Sequence, residues 1–149
     1  MINDTLNEIR KMAALSARDL RERSPQMDGT AIIAEEEYIP FWRADKDYSA
    51  VVVGAPVKDE GQVYVLLQPH NASHYNARPK ELAALWRVKH TTDPHKAKPW
   101  VKPTSTSDMY LKDECMVWND NSVKKCILDT GTIYSPDEYA QAWEDVEIL

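Results

Sequence analysis

Apolar residues recur near the start of the chain at alternating intervals of four and three: Ile2, Leu6, Ile9, Ala13 and Leu20, with Ser16 at the remaining position of the stripe. That spacing keeps one face of an α-helix apolar. Thr5 with Glu8 supplies a capping box to begin the helix, and Ser24-Pro25 ends it. Residues 1–25 are therefore read as a helical anchor. Three heptads are too short to stay helical alone in water, so the stripe must rest on its own domain or on copies of itself. Leu6, Ile9, Ala13 and Leu20 are the candidate docking or oligomerisation residues, with Ala13 and Ser16 leaving a coiled-coil seam weak in its middle.

Beyond Pro25 the period changes. Residues 26–40 form a connecting segment whose run Ala31-Ile32-Ile33-Ala34 suits a strand or a helical turn equally. From Pro40 onward, short β-prone runs alternate with turn residues, the pattern of small antiparallel sheets. Val51–Val57, the turn Lys58-Asp59-Glu60-Gly61 and Gln62–Gln68 predict a hairpin in which Gly61 takes a positive φ. Val63, Val65 and Leu67 fall on one face of the return strand and Tyr64 and Leu66 on the other, so it should be central. A polar, proline-bearing stretch at 90–99 reads as a linker. A second hairpin follows, from Glu114–Trp118 and Val123–Leu128. The expected fold is mainly β: two small antiparallel β-modules in tandem, 41–89 and 100–149, preceded by an N-terminal α-helix.

Each unit opens and closes on tryptophan, Trp42 to Trp86 and Trp100 to Trp143. Within them the order Tyr48, hairpin, Tyr75, Pro79 is matched by Tyr110, hairpin, Tyr134, Pro136, which predicts an internal repeat. Cys115 and Cys126 lie symmetrically about the turn Asn119-Asp120-Asn121-Ser122, where a reduced, packed pair is expected.

Composition narrows the function. A formal charge of −6 and scattered basic residues give no footprint for nucleic acid. No apolar run approaches membrane-spanning length, and the charged first twenty residues do not read as a signal peptide, which predicts synthesis in a cytoplasm and no membrane insertion. Five Trp and seven Tyr stand against a single Phe, the amphipathic aromatics that also serve at ligand and partner surfaces. No phosphate-binding glycine loop, Cys-x-x-Cys or serine-nucleophile motif is present, and His70 and His74 have no evident third ligand. The reading is of a non-enzyme without metal or cofactor.

The run Gly54–Asn71 followed by Ala84-Leu85-Trp86 resembles the chitin-binding-type carbohydrate-binding modules of families five and twelve. Trp100-Val101-Lys102-Pro103-Thr104, Asp108-Met109-Tyr110 and Ile133-Tyr134-Ser135-Pro136 are similar to the same pattern in the second unit. With the helix and Glu35–Trp42 ahead of it, the tandem resembles small virion accessory proteins of tailed phages of Firmicutes. The resemblance covers roughly residues 35–149, with Ala55 and Asp113-Glu114 departing from the usual glycine-acid step.

What the resemblance implies is a phage virion protein (head fibre, decoration or tail-associated), made in the host cytoplasm and carried on the particle. It would display modules for weak, multivalent adhesion to host or environmental glycan. The alternative is a purely structural decoration or fibre protein that assembles through its helix. Expected partners are phage capsid or tail proteins, glycan, and the chain itself as a homo-oligomer, a trimer being one candidate state. Pyranose binding needs exposed flat aromatic faces with polar groups nearby, and the candidates are Tyr110, Tyr134, Tyr75, Trp118 and Tyr139.

Overall fold

The computed structural model describes residues 2 to 148, with side chains described from Asp4 to Ile148. Helix α1 (Ile2–Arg23) leads into a short second helix, α2 (Gly29–Ile33), capped by the Asp28 carboxylate on the Ala31 N–H at 2.8 Å. A three-stranded antiparallel sheet follows, β1 (Pro56–Asp59), β2 (Gln62–Leu66) and β3 (Trp86–Val88), with β2 in the centre. The second sheet runs in the order β4 (Lys98–Pro99), β5 (Cys115–Val117), β6 (Val123–Cys126), β7 (Trp143–Val146). Its last three strands are antiparallel and β4 joins β5 in parallel.

Because β2 is apolar on both faces, it needs cover on both sides, and two separate cores supply it. Tyr64 and Leu66 pack with Tyr48, Val57, Ala72, Trp86 and Val88. Val63 and Val65 pack with Leu20, Ile32, Ile33 and Ile39. Residues 26–40, expected as a connection, thus contribute Ile32, Ile33 and Ile39 to the first module's core. The apolar run Ala31–Ala34 is too short to show its period, and its membership in the core follows only from the opposite face of β2.

The helix meets this core at one end alone. Leu20 is fully buried, Ser24 donates to the Gly54 carbonyl at 2.9 Å, and Arg23 pairs with Asp19 and Glu35. Residues 4–15 are exposed on every side, including Leu6, Ile9 and Ala13. Leu20 is therefore a docking residue within the chain. The rest of the stripe continues outward from it without cover among the described residues; Ile2's side chain lies outside them.

The stretch 90–99, expected as a linker, is packed structure. His90 and Thr91 are buried, the Cys115 N–H donates to the Thr91 carbonyl at 2.7 Å, and Lys98 and Pro99 form β4. Glu36 reaches across to Lys96 and Lys98, tying the first module to this junction. The polar composition misleads because these side chains are satisfied inside the fold, His90 Nε2 on the Asp108 carbonyl at 2.9 Å among them.

The two units share a hydrogen-bond scheme. Trp42 N–H donates to Lys58 O, and Trp100 N–H to Val117 O, both at 2.9 Å. The next amide in each, Arg43 or Val101, donates to the hydroxyl of Tyr48 or Tyr110, at 3.0 and 3.2 Å. Gly54 donates to Leu66 O and Asp113 to Cys126 O, both at 2.8 Å, and both residues have positive φ, +97° and +73°. Trp86 lies edge-on to Tyr48 at 5.0 Å as Trp143 does to Tyr110 at 5.3 Å. A bare Phe41–Lys58 bridge stands where the second unit has the parallel β4–β5 pair.

The hairpin loops differ. Glu60 and Gly61, both at positive φ, close the first in two residues, whereas Asn121 at φ +67° ends a three-residue loop in the second. That odd count puts Cys115 opposite Lys125 and turns Cys126 to the other face. The two thiols are free and buried, and burial pushes Cys115 up to about 11. We expect neither disulfide formation under mild oxidation nor rapid labelling by a thiol reagent at pH 8 in the native state, with both groups reacting after denaturation. Mass spectrometry checks this; a native Cys115–Cys126 crosslink would contradict the register.

Candidate functional site

The predicted aromatic candidates separate into three environments. Tyr110 is 1% exposed. Its ring is sandwiched between His90 at 3.7 Å and Trp100 at 5.2 Å, with Trp143 edge-on. Burial pushes its phenol well above the ordinary tyrosine range, and its hydroxyl is occupied by the Val101 amide. Tyr110 is a structural pivot of the second core and presents no face to a ligand. A buried hydroxyl needs a partner, and the backbone amide beside Trp100 is that partner; the sequence order alone does not reveal it.

Tyr134 and Tyr139 are exposed and lie outside the groove that Trp100 and Trp118 share. The Tyr134 carbonyl accepts the Trp143 indole N–H at 3.0 Å, so its backbone orients the buried tryptophan while its ring faces solvent. Tyr139 opens the 3-10 turn that leads into β7.

Trp118 is the candidate whose surroundings suit a ligand. It lies half-buried at the end of β5, edge-on to Trp100 at 5.9 Å. The two indoles, with Pro99, Val117, Asn119 and Asn121, line an open groove of about 380 Å³. β4 positions Trp100 through the parallel pairing of Pro99 with Val117, and the loop conformation at Asn121 brings two amide side chains beside the rings. No ionisable side chain lines this groove. Asp120, in the same turn, is held to Ser122 by hydrogen bonds that keep its carboxyl below the usual range.

The first module has a groove of its own, about 300 Å³, lined by Trp42, Ala44, Tyr75, Asn76, Ala77, Arg78 and Glu81. Tyr75 is exposed here and meets His70 edge-on at 5.6 Å. This lining is charged. Arg78 lies 5.6 Å from the Trp42 ring centroid and pairs with Asp59 at 2.7 Å and Glu60 at 3.3 Å.

His70 and His74, weighed as a metal pair, stand in different surroundings, His70 buried and His74 exposed. His70 is buried among Tyr48, Tyr75 and Trp86 with Nδ1 on the Gln68 carbonyl. Among the described residues no three His, Cys, Asp or Glu side chains converge as a metal-holding group, and no helix is long and apolar enough to cross a membrane.

Sequence reasoning missed Trp42 and Arg78, and read Trp100 as core and the two asparagines as mere turn formers. The available signal was the repeat itself: Trp42 and Trp100 each start a unit, and the hairpin turn is entered through Asp59 in one and Trp118 in the other. Comparison with known proteins gives no matching family model and no matching curated protein.

Proposed function

We propose that the chain is a non-catalytic virion accessory protein of a phage that adheres weakly to uncharged glycan through its second module. The observation that carries this reading is the uncharged groove in which Trp100 and Trp118 meet at 5.9 Å beside Asn119 and Asn121. Indole faces accept the C–H side of a pyranose, and amides can both donate to and accept from hydroxyl or acetamido groups. An open groove gives a weak single site, and many copies on one particle make it useful.

Trp118→Ala should leave the fold intact, because Trp118 is half-buried at a hairpin end, and should abolish retention on the glycans that hold the multimerised parent protein. A glycan array with both proteins, and circular dichroism to verify folding, reads this out. No glycan bound by the parent, or equal binding by Trp118→Ala, would overturn the reading.

A second reading, structural assembly through the helix, is favoured by the exposed Leu6, Ile9, Met12 and Leu15 on an arm that the body leaves bare. An isolated arm of this length is marginal as a helix, so association would stabilise it. In this reading, light scattering finds the full chain as an oligomer and residues 16–149, which keep the buried Leu20 and Ser24, as a monomer. Monomers in both cases would reject helix-driven assembly.

A further inference from the structure

The repeat allows the surroundings of Trp42 and Trp100 to be compared position by position, and the open grooves beside them share only those two tryptophans. Asp59 and Trp118 are equivalent, each following the residue that accepts the amide of the opening tryptophan. Arg78 and Ser135 are equivalent too. Each precedes the proline of a 3-10 turn or bend, and the amide of each is capped by a glutamate three residues on, Arg78 by Glu81 at 3.3 Å and Ser135 by Glu138 at 3.2 Å. Downstream, Leu85 and Ala142 then donate to Leu82 and Tyr139 in the same way. The second module thus carries Trp118 and Ser135 where the first carries the ion pair Asp59–Arg78.

We propose that the first module's counterpart of the Trp100–Trp118 groove, the space between Trp42 and Asp59, is occupied from within: Arg78, pinned by Asp59 and Glu60, takes the ligand's place over Trp42, so that uncharged glycan binds only at the second module, one site per chain. This rests on the glycan reading for its ligand, though the occupied state of Trp42 stands independently of it. A guanidinium over an indole is a cation–π contact, strengthened where water is excluded. To stack on Trp42 a sugar must lift Arg78 away and break its pairs with Asp59, which is largely buried, and with Glu60. Lys80 holds Glu60 at 3.2 Å, so the anionic side of the clamp is itself fixed. The second groove has nothing to displace. Ser135, outside that groove's lining, is buried with its hydroxyl accepting the Glu138 amide, and Trp118, at the position of Asp59, adds a second aromatic wall. Asp59 and Arg78 are accordingly specificity-determining residues: they silence one copy of a doubled site.

Two measurements on the full-length chain test this. The first uses no glycan: N-bromosuccinimide oxidation of each tryptophan, followed by peptide mapping. Trp118 should oxidise several-fold faster than Trp42 in the parent, and Arg78→Ser should bring Trp42 to the Trp118 rate while Trp86 and Trp143 stay protected. Trp42 as reactive as Trp118 in the parent would overturn the occupied groove whatever the chain binds. The second is calorimetric titration with the hexamer of N-acetylglucosamine. The double change Asp59→Trp with Arg78→Ser should raise the stoichiometry from one per chain to two, and Ser135→Arg with Trp118→Asp should remove binding. An unchanged stoichiometry in a folded double variant would sink the proposal, as would two sites in the parent. If the oxidation pattern holds and the parent does not bind, the glycan reading fails and the occupied groove survives.

Discussion

Replacing Tyr110 with alanine should destabilise the second module by about 4 kcal/mol, the range for removing a large buried aromatic. Tyr110 is the residue on which this module converges: His90 and Trp100 stack on its two faces, Trp143 meets its edge, and its hydroxyl receives the Val101 amide. Its backbone also pairs with Thr132 in both directions, at 3.1 and 2.8 Å. Truncation would leave a cavity between the His90 and Trp100 rings. Tyr110→Phe separates the terms: the ring remains, the Val101 amide loses its acceptor, and a loss of about 1–2 kcal/mol is expected. Tyr134→Ala, at an exposed ring, should change stability by less than about 0.5 kcal/mol. Urea unfolding followed by tryptophan fluorescence measures all three. Equal effects of Tyr110→Ala and Tyr134→Ala would mean that the stack is not what holds the module.

The second large effect is one of pH. His90 is buried against the Tyr110 ring, and burial lowers it to about 4, opposed by its bond to the Asp108 carbonyl and by the Asp108 charge. The neighbouring Lys89 ammonium works in the same direction as burial. Above the unfolded value of about 6.5 both states hold neutral imidazole, and His90 contributes no pH dependence. Below it the unfolded chain takes up a proton that the folded chain refuses, so stability falls as pH drops from about 6.5 to about 4, by about 3 kcal/mol in all. His90→Gln cannot titrate. The difference between parent and variant unfolding free energies, taken at pH 7, 6, 5 and 4.5, cancels the carboxylates and the other histidines and should narrow steadily on acidification. A constant difference would show that His90 charges as readily in the fold as out of it.

The helix followed by two small sheets was legible from period alone, because a heptad spacing and close-set β-runs with turn residues are local signals. So was the central position of β2, since Val63 and Val65 against Tyr64 and Leu66 demand cover on both faces. What local signals cannot convey is which polar residues are satisfied inside. Thr91 and His90 look like linker residues until the Cys115 amide and the Asp108 carbonyl are placed beside them. Register was equally out of reach for the cysteines, because one residue in loop length turns a side chain to the other face, and the loop length depends on Asn121 adopting a positive φ.

The candidate site was legible in part for a related reason. An excess of Trp and Tyr identifies a stock of amphipathic rings without saying which are spent in the core. Tyr110 and Trp118 lie close in sequence, yet one is buried in the core and the other half-buried at the end of the β4–β5 pair. Tyr75 and Tyr134 also look equivalent by order. Tyr75 lies four residues before its proline and Tyr134 two before its own, so they occupy different positions in the two units.

The most direct test of the account is a nitrogen–proton spectrum of the five indole N–H groups of the full chain during titration with the N-acetylglucosamine hexamer. The signals of Trp118 and Trp100 should shift with a common binding curve, while those of Trp86, Trp143 and Trp42 stay where they are. Shifts confined to Trp42, or none at any of the five, would contradict it.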